Sequence, residues 1–168
     1  MKEKEYMRLE SDSIGTMEVP EDAYYGVQAL RAKENFPITG TKLHPVFIKN
    51  LAKIKRAAAI TNRKAGRLKP EIANAIEASA NEVICGMFDK DFIVDGIQGG
   101  AGTSANMNMN EVIANRAIEM LCGKKGDYTI VHPNDHVNMA QSTNDVIPTA
   151  GKLTVLDLLK PLDKSLSL

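Results

Sequence analysis

The chain has 168 residues, 43% of them hydrophobic, with 21 Lys plus Arg against 21 Asp plus Glu. That is enough for one medium domain, or one domain and part of a second, around a sizeable core. Balanced charge without a long like-charge block argues against nucleic acid or an anionic membrane as main partner, and the charged opening MKEKEYMRLE lacks the apolar centre of a secretory signal. With no apolar run long enough to span a bilayer, the expected location is the cytoplasm.

In chain order, residues 7–19 alternate short apolar and polar steps around Ile14-Gly15 and predict a small β-hairpin before the Pro20-Glu21-Asp22 break. Residues 24–40 have weak periodicity and predict an irregular segment with one short helix. Pro45 opens a helix over 45–65, with Phe47, Leu51, Ile54 and Ala58 as its apolar stripe and Gly66 just past its end. Its other face carries Lys49, Lys53, Lys55, Arg56 and Arg63 and reads as solvated.

Pro70 opens a second helix over 70–88 through Ile72, Ile76, Ala80, Val83 and Met87. A third is predicted over 104–121, with Met109, Ile113 and Ala117 on one stripe and Gly123 beyond it. A fourth is predicted over 144–160, bearing Leu153, Val155, Leu156, Leu158, Leu159 and Leu162, more apolar surface than one stripe needs. The fold class is therefore mainly α. Cys85 and Cys122 lack metal or disulfide spacing and read as buried free thiols.

Two polar stretches depart from ordinary helix chemistry. In GGAGTSANMNMNEVIANRA, residues 99–117, glycines lead into Thr103 or Ser104 as N-cap, giving free amides at the positive end of a helix. Asn106, Asn108 and Asn110 follow, each costing roughly 0.5 kcal/mol or more against Ala inside a helix. Asn106 and Asn110 share a face and Asn108 points elsewhere, where it reads as a structural hydrogen bonder.

In QSTNDVIPTA, residues 141–150, Ser142, Thr143 and Asn144 open the last helix, with Pro148 expected inside its first turn. Capping alone accounts for such residues as well as ligand binding does. Two donor-rich helix starts together suit the two ends of a small dicarboxylate. VHPNDHVN, residues 131–138, offers His132, Asp135 and His136, but Pro133 and the lack of a third well-spaced ligand favour a turn with His132 at a helix start over a metal site.

DAYYGVQALRAKENFPITG at 22–40, GTSANMNMNEVIANRA at 102–117 and VHPNDHVNMAQSTNDVIPTA at 131–150 resemble, in order and spacing, the N-terminal blocks of the aspartase/fumarase superfamily. YYGVQ, ENFPITG and GGAGTS lie nearer the aspartase branch than class II fumarases. Ala29 replaces a commoner Thr, and Ala101 a Ser usual in fumarases.

The resemblance implies an N-terminal helical domain with a small hairpin over 1–142 and the start of a central long-helix bundle over 143–168. It implies a homotetramer whose active sites each draw on three subunits. It also implies reversible anti elimination of ammonia from L-aspartate to give fumarate. By position, Thr103, Ser142, Thr143 and Asn144 match the family's substrate-binding residues, and His132, Asn134 and Asp135 match a secondary anion site. The Gly-Ser-Ser loop that supplies the base has no counterpart within these 168 residues, so the chain alone is expected to be inactive. No redox or organic cofactor is implied; an activating divalent cation stays open.

Overall fold

The computed structural model describes residues 6–166; the outermost residues of the two expected domains, 1–5 and 167–168, lie outside them. Strands β1 (Met7–Ser11) and β2 (Thr16–Pro20) form the expected antiparallel hairpin, with Leu9 opposite Glu18 and Ser11 opposite Thr16. The inward face of β1 is polar, with Arg8 and Glu10 as its buried residues, while β2 buries Val19 opposite Arg8. Arg8 donates to the carbonyls of Pro20, Ala23 and Tyr25 at 2.6, 2.9 and 2.8 Å, and through Nε to Glu10 Oε1 at 2.8 Å. Arg8 thereby satisfies carbonyls where the chain leaves the hairpin, and Glu10 holds the guanidinium in place.

Five helices follow: α1 (Val27–Asn35), α2 (Pro45–Lys64), α3 (Pro70–Ile84), α4 (Thr103–Met120) and α5 (Thr143–Leu166). Prolines open α2 and α3, where the missing N–H costs no helical bond. Gly66, at φ 67°, stands just past the Ala65 cap as expected. α2 packs on α3 and α5, and α3 on α4. α4 runs through the middle, with Met109, Val112, Ile113, Ala114, Ala117 and Ile118 fully buried. Met109 is core, as the spacing suggested, whereas Met107 lines a cleft and Met120 is half-buried.

Several expectations need correction. α3 ends at Ile84, four residues early, because Gly86 turns left-handed at φ 82°, and Met87 is exposed. The buried seam of α2 is Ile48, Leu51, Ala52, Lys55, Ala59 and Asn62, rotated from the predicted stripe. Lys55 is therefore not on a solvated face; it is 0% exposed. Pro148 falls one turn inside α5, in its second turn. The turn after α4 is made by Cys122, at φ 61°, before Gly123 is reached. Both cysteines are free but exposed, because each sits where a helix has just ended.

Beyond Thr154 the outer half of α5 is bare. Val155, Leu156, Leu158, Leu159, Leu162 and Leu166 are 42 to 78% exposed. That contiguous face is what a helix shows when its packing partners belong to other segments.

Candidate active site

α4 and α5 begin side by side. Gly102, at φ 85° and ψ 21°, caps α4, so Thr103 is the first helical residue and neither it nor Ser104 is the cap. Glycine is needed there twice over: the left-handed backbone disfavours a side chain, and a Cβ would lie 2.8 Å from Ile147 Cγ2 of α5. Side-chain capping of α4 comes from outside the helix, where Gln98 Oε1 accepts the Ala105 N–H at 2.6 Å. The Thr103 hydroxyl is left exposed, with no hydrogen-bond partner among the described residues.

α5 starts at Thr143, with Ser142 immediately before it in a capping geometry. The Ser142 hydroxyl accepts the Asn144 N–H at 3.2 Å, and its carbonyl accepts the amides of Asp145 and Val146 at 3.0 Å each. Here the capping account of Ser142 holds. Asn144 is exposed beside it.

Thr103 and Thr143 border one cleft of about 610 Å³, together with Ser104, Asn106, His132 and Asn134. Both stretches singled out in the sequence, and two of the three secondary-site residues, thus face a common space. Ser142, Asn144 and Asp135 do not line it. His132 caps the short turn Pro133–Val137: its Nδ1 accepts the amides of Asn134 and Asp135 at 3.3 and 3.1 Å. Those amides are thereby occupied by the imidazole. Arg31 also borders the cleft, but Asp12 engages its Nε and Nη2 at 3.1 and 3.0 Å. Among the described residues there is no group of three or more His, Cys, Asp or Glu able to hold a metal ion.

Beneath the cleft lies a polar cluster that the sequence did not disclose. Lys55 Nζ donates to Asn106 Oδ1 at 2.7 Å, Asn138 Oδ1 at 2.8 Å and Gln141 Oε1 at 3.1 Å. All three acceptors are neutral amides, and no carboxylate lies within ion-pair distance among the described residues. Burial lowers its pKa from the ordinary 10.5 to about 7. Asn106 Nδ2 in turn donates to Asn138 Oδ1 at 3.1 Å and to Thr143 Oγ1 at 3.2 Å. The available sequence signal was the seam itself: Leu51, Lys55 and Ala59 step by four, so Lys55 sits in line with apolar neighbours.

Further along α4, Glu111 is 1% exposed and accepts the amides of Gly26, Gln28 and Ala29 at 2.9, 2.8 and 3.0 Å. It thereby caps α1, with Glu10 taking the Val27 amide at 2.9 Å. Burial pushes Glu111 up to about 7 against the pull of those amides. Asn108 ties the segment before α4 to the helix, donating to the Asp91 carbonyl and accepting from the Ile93 amide, both at 2.9 Å. Asn110 bonds only the Met107 sulfur, at 3.4 Å, and its Oδ1 is buried without a partner among the described residues. Unlike Asn106, it does not line the cleft. Asp12 and Glu111 also border the cleft, but Asp12 is paired with Arg31 and Glu111 with the α1 amides; at the two helix N-termini the cleft offers the hydroxyls of Thr103 and Thr143, neutral donors of the kind that suits oxyanion binding.

A family model described as lyase matches residues 15–167. The chain is 55% identical over 156 residues to an aspartate ammonia-lyase of a Bacillus species, covering 93% of this chain and 33% of that protein. It is also 55% identical over 152 residues to a class II fumarate hydratase of Halobacterium salinarum, covering 90% and 32%. A crystal structure of fumarate lyase:delta crystallin from Brucella melitensis superposes with a TM-score of 0.88 at 50% identity, covering 90% of this chain and 36% of that one. The chain spans about a third of the length of the curated relatives it matches. Over nearly all of its residues, then, the chain belongs to the lyase family, within the aspartase/fumarase superfamily.

Proposed function

We propose that the whole protein containing this chain is an aspartate ammonia-lyase, eliminating ammonia from L-aspartate to give fumarate. The observation that carries this reading is the pairing of two helix N-termini, led by Thr103 and Thr143, on one cleft. The reaction removes a weakly acidic proton from the carbon beside a carboxylate, so the difficulty is to hold the resulting aci-carboxylate dianion. Preorganised neutral donors do so without reorganising, each worth roughly 3 kcal/mol of barrier. Thr103 and Thr143 bind from the cleft walls, while Ser142 and Asn144 are close enough in sequence to join once the site is complete.

The base belongs to a segment outside residues 1–168, so the chain alone forms no fumarate. Residues 1–142 make the N-terminal domain and 143–168 open a helical bundle. The whole protein is taken to be a cytoplasmic homotetramer with shared sites; the bare apolar face of α5 supports only that this helix has a packing partner. Of the residues of the secondary anion site, His132 and Asn134 border the cleft and Asp135 stands outside it. The chemistry calls for no redox or organic cofactor, and neither nucleic acid nor membrane is a partner; no described helix is long and apolar enough to cross a membrane.

The second reading is fumarate hydratase, favoured by the 55% identity to the Halobacterium protein. It uses the same dianion with water in place of ammonia. Following fumarate absorbance with L-aspartate and with malate as substrates of the whole protein separates the two. Turnover of malate alone replaces the first reading with the second, and turnover of neither sinks both.

A further inference from the structure

Hydroxyl groups donate and accept, and a threonine that binds an anion must present its proton rather than its lone pairs. The direction of the hydrogen bonds beneath Thr143 therefore matters as much as its position. While protonated, Lys55 has three donors and no acceptor, so the amide atom facing its Nζ on each partner is then the oxygen. At Asn106 that oxygen lies 2.7 Å from Nζ, which turns the Asn106 NH2 toward Thr143 Oγ1 at 3.2 Å. Thr143 then receives a hydrogen bond from below, and its own proton is free for the cleft. At Asn138 the oxygen is doubly held, by Lys55 at 2.8 Å and by Asn106 Nδ2 at 3.1 Å, so the neighbouring amide cannot flip without breaking both.

Resting on the reading of Thr143 as a substrate-carboxylate donor, we propose that Lys55 is a positioning residue that sets the donor polarity of the Thr143 hydroxyl through Asn106. Lys55 is fully buried and does not line the cleft, and the side-chain hydrogen bonds of its Nζ all go to these amides. Without its donors, Asn106 is released to turn its oxygen toward Thr143, and the hydroxyl proton goes to Asn106 instead of the ligand. Removing Lys55 should therefore cost catalysis only as long as Thr143 has a hydroxyl to misdirect. An electrostatic role exerted directly on the substrate would not depend on that hydroxyl, and a purely structural one would appear in stability.

The test is a double-mutant cycle in the whole enzyme, with kcat and KM for L-aspartate measured on Lys55→Met, Thr143→Val and the pair, and folding checked by circular dichroism and thermal melting. Lys55→Met is expected to lower kcat/KM about tenfold in the native background but less than about twofold once Thr143 is Val, a coupling that contact networks show. Asn106→Leu leaves Lys55 in place and removes the link, so it should show the same loss and the same non-additivity. It carries the test if Lys55→Met does not fold. Equal losses in both backgrounds, or Lys55→Met and Asn106→Leu within twofold of the native enzyme while Thr143→Val is slow, overturn the proposal. A Thr143→Val enzyme as fast as the native one overturns instead the substrate-donor reading on which it stands.

Discussion

Helix α4 carries two buried polar clusters, and they end differently. Around Glu111 the hydrogen bonds end mostly on backbone: three amides at the start of α1 meet one carboxylate, and the Val27 amide and the Tyr128 hydroxyl meet Glu10. Around Asn106 the bonds run the other way, from a buried ammonium through side-chain amides to a hydroxyl at the cleft. The first arrangement compensates groups that would otherwise be orphaned and holds the fold. The second has a surplus donor at its end, which is what an anion site needs. Burial of polar side chains on one helix thus serves stability or binding according to where the last donor points.

The largest effect expected from breaking the comparison is at its structural end. Glu111→Ala takes the acceptor from the buried amides of Gly26 and Ala29 and the part-buried amide of Gln28, and should lower unfolding stability by about 3–5 kcal/mol, read by denaturant titration. Unchanged stability would mean that water replaces the carboxylate freely and that the cluster is not structural.

At the other end, Thr143→Ala in the whole enzyme should reduce turnover by more than about tenfold, following the usual cost of an oxyanion donor. Its melting temperature should change little. Unaltered kinetics would return Thr143 to a plain helix-start role.

The pH dependence of stability sharpens the contrast. Lys55 has a folded pKa of about 7, below its ordinary 10.5, so between those values the unfolded chain binds the extra proton. The stability it contributes is fully present above 10.5 and is lost as pH falls through about 7, with a limiting slope of about 1.4 kcal/mol per pH unit. Lysine 13Cε NMR should find one side chain titrating near 7 that disappears in Lys55→Met; a midpoint above 9 for Lys55 would contradict the depressed value.

The smallest effect concerns Asn108, which lies on α4 between the two clusters and bonds only the 91–93 segment. Asn108→Ala should cost about 1–2 kcal/mol of stability and leave KM and kcat for aspartate unchanged. A selective kinetic defect would show that the 91–93 segment communicates with the cleft.

Much of this was legible in the residues alone. Proline at the starts of α2 and α3 and the step of three and four apolar residues located α2, α3 and α4 and the start of α5 to within four positions, because propensity and periodicity are local; α5 runs on to Leu166, six residues past its expected end. The polar starts at Thr103 and Ser142–Asn144 were likewise visible, since few reasons exist for so many amides and hydroxyls in a first turn. The short turn at Pro133–Val137 was anticipated only as a turn capped by His132.

Local sequence alone did not place groups whose partners are distant in the chain. Lys55 reads as one of five basic residues on a solvated face, until Asn106, Asn138 and Gln141, 51 to 86 positions away, supply the oxygens that make its burial tolerable. Glu111 finds its amides 82 to 85 residues back, at the start of α1. The α4 cap moved to Gly102 because α5 approaches too closely for a side chain there. Sequence thus determined the helices, their approximate ends and the chemical character of the site. Tertiary structure decided which polar groups are buried, what satisfies them and which hydroxyls are left to face a ligand, because hydrogen-bond satisfaction depends on three-dimensional proximity that residue spacing does not encode.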